Sequence, residues 1–175
     1  MRTSRVLVVL CLVLAAVPAC KKASESSAEK AAERAIEQAT GNKANVDISG
    51  GGIKVSGKEG GKEFSYEASG KGGVALPKGF PDDVPRYPGA TVLSSMSQGN
   101  EMNMVTFQTV DAPDRVYDFY GKKLRESGWE IVSELATPQM RMVSGKKKAD
   151  RQANITVVGG DGKSTITVVY SAGKG

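Results

Sequence analysis

Apolar residues recur along this chain in several distinct rhythms. From Val6 to Val17 they run uninterrupted for 12 residues, preceded by Arg2 and Arg5 and followed by Pro18-Ala19-Cys20 and an abrupt change to Lys21-Lys22. In the segment Lys21 to Thr40, Ala28, Ala32, Ala35, Ile36 and Ala39 fall at helical spacing, which predicts a helix ended by Gly41-Asn42. Its stripe holds one large residue, Ile36, and Glu25, Glu29, Glu33 and Glu37 stand in a like-charged i, i+4 row. Such a helix reads as a solvated stalk; pairing with a partner through the Ala face is the alternative.

The rhythm then changes to period two. Val46/Ile48, Ile53/Val55 and Phe64/Tyr66/Ala68 alternate with polar residues between Gly-rich breaks, which predicts a three-stranded meander over residues 43–70. So small an apolar surface implies that the meander leans on the next domain or stays dynamic. Leu76 to Ala90 carries four prolines and reads as an extended lead-in, with Phe80, Val84 and Tyr87 as anchors onto a core. A hairpin follows over 91–97 and 103–109. Asp111-Ala112-Pro113-Asp114 then predicts a helix start with Asp111 as N-cap, and Gly128 its stop. Val116, Phe119, Tyr120 and Leu124 form its core face, with Trp129 just beyond. Trp129/Ile131, Met140/Met142, Ile155/Val157 and Ile166/Val168/Tyr170 predict four more strands.

The expected fold is therefore α+β: an antiparallel β-sheet with one helix packed across a face, in residues 75–172. A short β-meander (43–70) and a helical or disordered tether (20–42) precede it.

Composition narrows the chemistry. The 175 residues contain no His, which excludes Ser-His-Asp and Cys-His nucleophiles and His-ligated zinc or haem. The run at Val6–Val17 is too short for the roughly 20 residues of a membrane-spanning helix, so residues 1–19 read as a cleaved export signal. Val17-Pro18-Ala19-Cys20 resembles the lipobox of bacterial lipoproteins, and Cys11 departs with the signal. Cys20 is then the sole remaining thiol of the two in the sequence and the expected site of acylation. Lys21 at the next position, instead of Asp, points to the outer membrane. An ordinary signal-peptidase cut at the same bond would release a soluble protein instead.

Two motifs imitate catalytic ones. Gly159-Gly160-Asp161-Gly162-Lys163-Ser164 resembles a phosphate loop, but it precedes a strand and not a helix, so it reads as a hairpin turn. Ser144-Gly145-Lys146-Lys147 matches Ser-x-x-Lys without its companion motifs. Asp111, Asp114, Asp118, Glu126 and Glu130 offer carboxylates for a wall-sugar hydrolase, yet capping and solvation account for them. No catalytic residue, metal ligand or cofactor is expected. What stands out is Arg141, Lys146, Lys147, Lys148 and Arg151 against Asp150, while the whole chain is only +5. Read as a basic connection between strands, these five are the candidate contacts with anionic lipid or cell-wall polymer. Nucleic acid is not an expected partner.

The segments Leu76-Pro77…Phe80-Pro81-Asp82-Asp83-Val84-Pro85…Tyr87-Pro88-Gly89-Ala90 and Phe119-Tyr120…Leu124…Gly128-Trp129 resemble a family of uncharacterised bacterial exported proteins and lipoproteins. The resemblance covers about residues 75–170 and implies a shared fold and an envelope location. It brings no activity, ligand or catalytic residue. The expectation is a lipid-anchored envelope protein whose domain binds or scaffolds.

Overall fold

The computed structural model describes residues 25–99, 102–148 and 150–171. Helix α1 (Glu25–Thr40) leads into strands β1 (Ala44–Ser49), β2 (Gly52–Glu59) and β3 (Lys62–Ser69). After the Pro-rich strap come β4 (Thr91–Gln98), β5 (Met102–Thr109), helix α2 (Pro113–Glu126), β6 (Glu130–Ala136), β7 (Met140–Lys147), β8 (Arg151–Gly160) and β9 (Lys163–Ser171). The nine strands of the described residues join one antiparallel sheet in the order β1-β2-β3-β4-β5-β9-β8-β7-β6. The α+β class with an antiparallel sheet holds, but the meander does not lean on a separate sheet. It continues the same one, because β3 pairs with β4 from Phe64↔Gln98 to Ala68↔Ser94.

Turn chemistry sets the hairpins. Gly50-Gly51 joins β1 to β2 and Asp161-Gly162 joins β8 to β9, both with positive φ at the two central residues. Such turns match the twist of the strands they connect, and the phosphate-loop lookalike is therefore a hairpin.

Register decides what each face carries, since directly opposed residues in an antiparallel ladder share a face. One row reads Val46, Val55, Tyr66, Met96, Met104, Val169, Asn154 and Ser144. The next row, on the other face, reads Asp47, Lys54, Glu67, Ser95, Val105, Val168, Ile155 and Val143. The apolar side of the sheet thus changes over between its two halves, and each helix covers the side that is apolar in its own half. Ile36 of α1 is buried with Val46, Val55 and Phe64. Val116, Tyr120 and Leu124 of α2 are fully buried against Val105, Val143, Ile155 and Val168 on the opposite face.

The strap, residues 74–90, makes a U on the α2 face. The Val74 N–H donates to the Val92 carbonyl at one end of the sheet. Phe80 meets Tyr170 edge-on at the other end, with ring centroids 5.1 Å apart. Tyr87 returns to pack edge-on against Phe119 at 5.0 Å, and its hydroxyl donates to Asp111 at 2.8 Å. The expected anchors Phe80, Val84 and Tyr87 all take part in this core.

Three local expectations are corrected. Helix α1 is no free stalk: Ile36 is buried, and the Val46 and Ile48 N–H groups donate to Glu33 and Glu29 at 3.2 and 2.9 Å. The N-cap of α2 is Ala112, with no side-chain cap bond. Asp111 is drawn off to Tyr87 and Arg115. Phe119 is only half-buried, because it faces the strap at the rim while Tyr120 and Leu124 point into the sheet.

Candidate functional site

The five basic residues do not form one loop. Arg141, Lys146 and Lys147 lie on β7 and Arg151 on β8, with only residues 148–150 between these strands. Arg141 sits near the start of β7 and pairs with Asp114 in the first turn of α2. Six residues of strand, about 20 Å at roughly 3.3 Å each, separate it from Lys147. The other four gather at the far end of the sheet, beside the C-terminus of α2.

There two of them are already engaged. Arg151 grips the Asp83 carboxylate with both nitrogens, at 2.7 and 2.8 Å, and Lys147 Nζ donates to the same carboxylate at 2.7 Å. Lys147 also donates to the Ser127 carbonyl at 2.8 Å, where the carbonyl end of the helix dipole favours a cation. Both cations lie over the Trp129 ring, the Lys147 Nζ at 5.7 Å and the Arg151 Cζ at 5.2 Å from its centroid. The Trp129 Nε1–H closes the cluster by donating to the Asp83 carbonyl at 2.7 Å. Charge-assisted bonds from Arg151 and Lys147 outweigh partial burial and hold the Asp83 carboxyl down at about 2. Asp83 thus occupies the place an external anion would take. What remains on offer is Lys146, exposed and 3.3 Å from Glu130, and the exposed Lys148.

The remaining candidates are dispersed. Asp114 pairs with Arg141, Glu126 with Lys122 and Lys123, and Glu130 with Lys146. Ser144 lies within β7, so the Ser-x-x-Lys match is part of a strand. Cys20 and the signal lie outside the described residues. Asp83 as the centre of the cluster was not foreseen; the only signal for it was an acidic pair, Asp82-Asp83, set between prolines.

A polar cleft of about 320 Å³ lies at the opposite end and edge of the sheet, lined by Asp47, Lys54, Glu67, Ser69, Gly72 and Val74. Lys54, exposed, and Glu67, half-buried, stand 4.0 Å apart across it.

Residues 90–170 match a family described as START domain-like. The matched stretch begins where the strap returns to the sheet and holds β4 to β9 with α2, leaving out α1 and β1–β3. An uncharacterised protein from Archaeoglobus fulgidus is 28% identical over 90 residues, which make up 50% of this chain and 97% of that relative. No solved structure matches.

Proposed function

We propose that this is an exported protein, acylated at Cys20 and held on the outer membrane, whose domain binds an anionic partner and catalyses no reaction. The observation that carries the binding role is the START domain-like match over residues 90–170, since domains of that kind are generally ligand-binding. The export role rests on Arg2, Arg5, the apolar run Val6–Val17 and a lone following thiol.

Topology favours one class of partner. Glu29, near the N-terminus of α1, meets Ile48, so α1 begins beside the β1–β2 hairpin. Lys146 and Lys148 lie at the other end of the strands and seven strand positions across the sheet. These are diagonal corners, so an anchor at one does not press the other against the same bilayer. Cell-wall polymer on the far side fits this placement better than headgroups beside the anchor.

Two measurements test the reading. Cys20→Ala should move the protein from the detergent phase to the aqueous phase and remove the acyl mass; an unchanged partition overturns the anchor. Lys146→Gln with Lys148→Gln should reduce salt-sensitive pelleting of the chain from Lys21 with cell-wall sacculi. Equal pelleting of variant and parent removes the basic corner, and stronger pelleting with anionic vesicles than with sacculi shifts the partner to lipid. Lys147 is left in place because its loss would break the Asp83 cluster.

A further inference from the structure

Strand β1 is an edge of the sheet among the described residues, and an edge strand presents free N–H and C=O groups that can template another strand. Natural sheets protect such edges. At the other edge, β6 carries an irregularity between Ile131 and Ser133 and the charges Glu130 and Glu134. Strand β1 has neither a bulge nor a proline, and its register with β2 is unbroken from Ala44↔Gly57 to Ser49↔Gly52. Its outward donors at Val46 and Ile48 are met instead by Glu33 and Glu29 of α1.

The spacing accounts for two glutamates of the row, Glu29 and Glu33. One i, i+4 step along a helix advances about 6.0 Å, and one i, i+2 step along a strand about 6.7 Å. Because α1 runs antiparallel to β1, successive glutamates fall beside successive outward N–H groups: Glu29 at Ile48, then Glu33 at Val46. A like-charged row that is unfavourable for an isolated helix thus matches the pitch of an open strand. The apolar hold of α1 is small, with Ile36 as its one large buried side chain.

We propose that α1 is an edge guard whose glutamates occupy the outward donors of β1, and that the partner they exclude is β1 of a second copy of this chain. The strand suits its own copy. Paired antiparallel about Val46, it sets Val46 opposite Val46, Ala44 opposite Ile48 and Asn45 opposite Asp47. The apolar side stays apolar and no like charges meet.

The test uses the chain from Lys21, which retains every described residue, with Glu29→Ala and Glu33→Ala together. Alanine is the best helix former, so the pair does not melt α1 by propensity, and circular dichroism checks this. Hydrogen exchange at the Val46 and Ile48 amides should accelerate at least tenfold, and sedimentation velocity should show a dimer that grows with concentration while the parent stays monomeric. Glu29→Gln with Glu33→Gln keeps an acceptor oxygen and should retain both protection and the monomer. Adding Ile48→Pro to the alanine pair removes an outward donor and should abolish the dimer. The proposal is overturned if the alanine pair remains monomeric with unchanged exchange, if the glutamine pair associates as readily, or if Ile48→Pro leaves the dimer intact.

Discussion

Asp83 is bound to two cations that are themselves stacked on one indole, and this gives it a predictable pH signature. Its folded pKa lies below the unfolded value of 3.8, at about 2. The stability it contributes is therefore present above pH 3.8 and is lost as the pH falls toward 2. Its side chain is 27% exposed, so solvent screening reduces the contribution to about 1–2 kcal/mol. Asp83→Asn should lower stability by that amount at pH 7, and urea unfolding should show the gap between variant and parent closing from pH 4 to pH 2. A gap unchanged over that range would remove charge pairing as its cause. Tyr170 behaves oppositely. Its hydroxyl is buried with no hydrogen-bond partner among the described residues, and burial pushes its pKa up to about 12. Tyr170→Phe should be neutral or stabilising by about 1 kcal/mol, because it removes a desolvated polar group and keeps the ring against Phe80.

Helix α2 was legible from its own residues: apolar spacing, an early Pro and Gly128 mark a helix between Asp111 and Gly128, and it runs over Pro113–Glu126. Its N-cap was not, because Asp111 has a better partner in the Tyr87 hydroxyl, 24 positions away in sequence. Periodicity also treats Phe119 and Leu124 alike, while the sheet buries Leu124 fully and leaves Phe119 at the rim. Leu124→Ala should cost about 2–5 kcal/mol, and Phe119→Ala clearly less, as measured by denaturant midpoints at equal m-value. Equal losses would place both side chains in the same packing environment. In α1 the sequence showed the glutamate row and the thin apolar stripe, but neither has meaning until β1 lies alongside.

At the scale of the whole molecule, one sheet carries two cores on opposite faces. The α2 core draws on the strap, β4 to β9 and α2, whereas the α1 core draws on Ile36, Val46, Val55 and Phe64. Removing residues up to 72 should therefore leave a folded protein with β4 as its new edge. The check is a cooperative thermal transition of the 73–175 fragment, with Trp129 emission as in the parent. A fragment that melts without cooperativity would make the β3–β4 pairing essential to the core.

Period-two alternation marked where the strands lie, and Gly50-Gly51, Gly60-Gly61 and Asp161-Gly162 marked three of the hairpin turns, because both signals depend on neighbours only a few residues away; the second half of β7, where Lys146 and Lys147 stand, was legible only as a basic connection. The basic residues were equally visible as a cluster in sequence. Strand geometry then carried Arg141 to one end of the sheet and Lys147 with Arg151 to the other. Whether a charge is free or spent depends on which distant carboxylate reaches it, and Asp83 lies 64 positions before Lys147. The same holds for which face is apolar in each half of the sheet. Alternation marks an apolar side on every strand, but only the register across β3, β4 and β5 decides that these sides point in opposite directions.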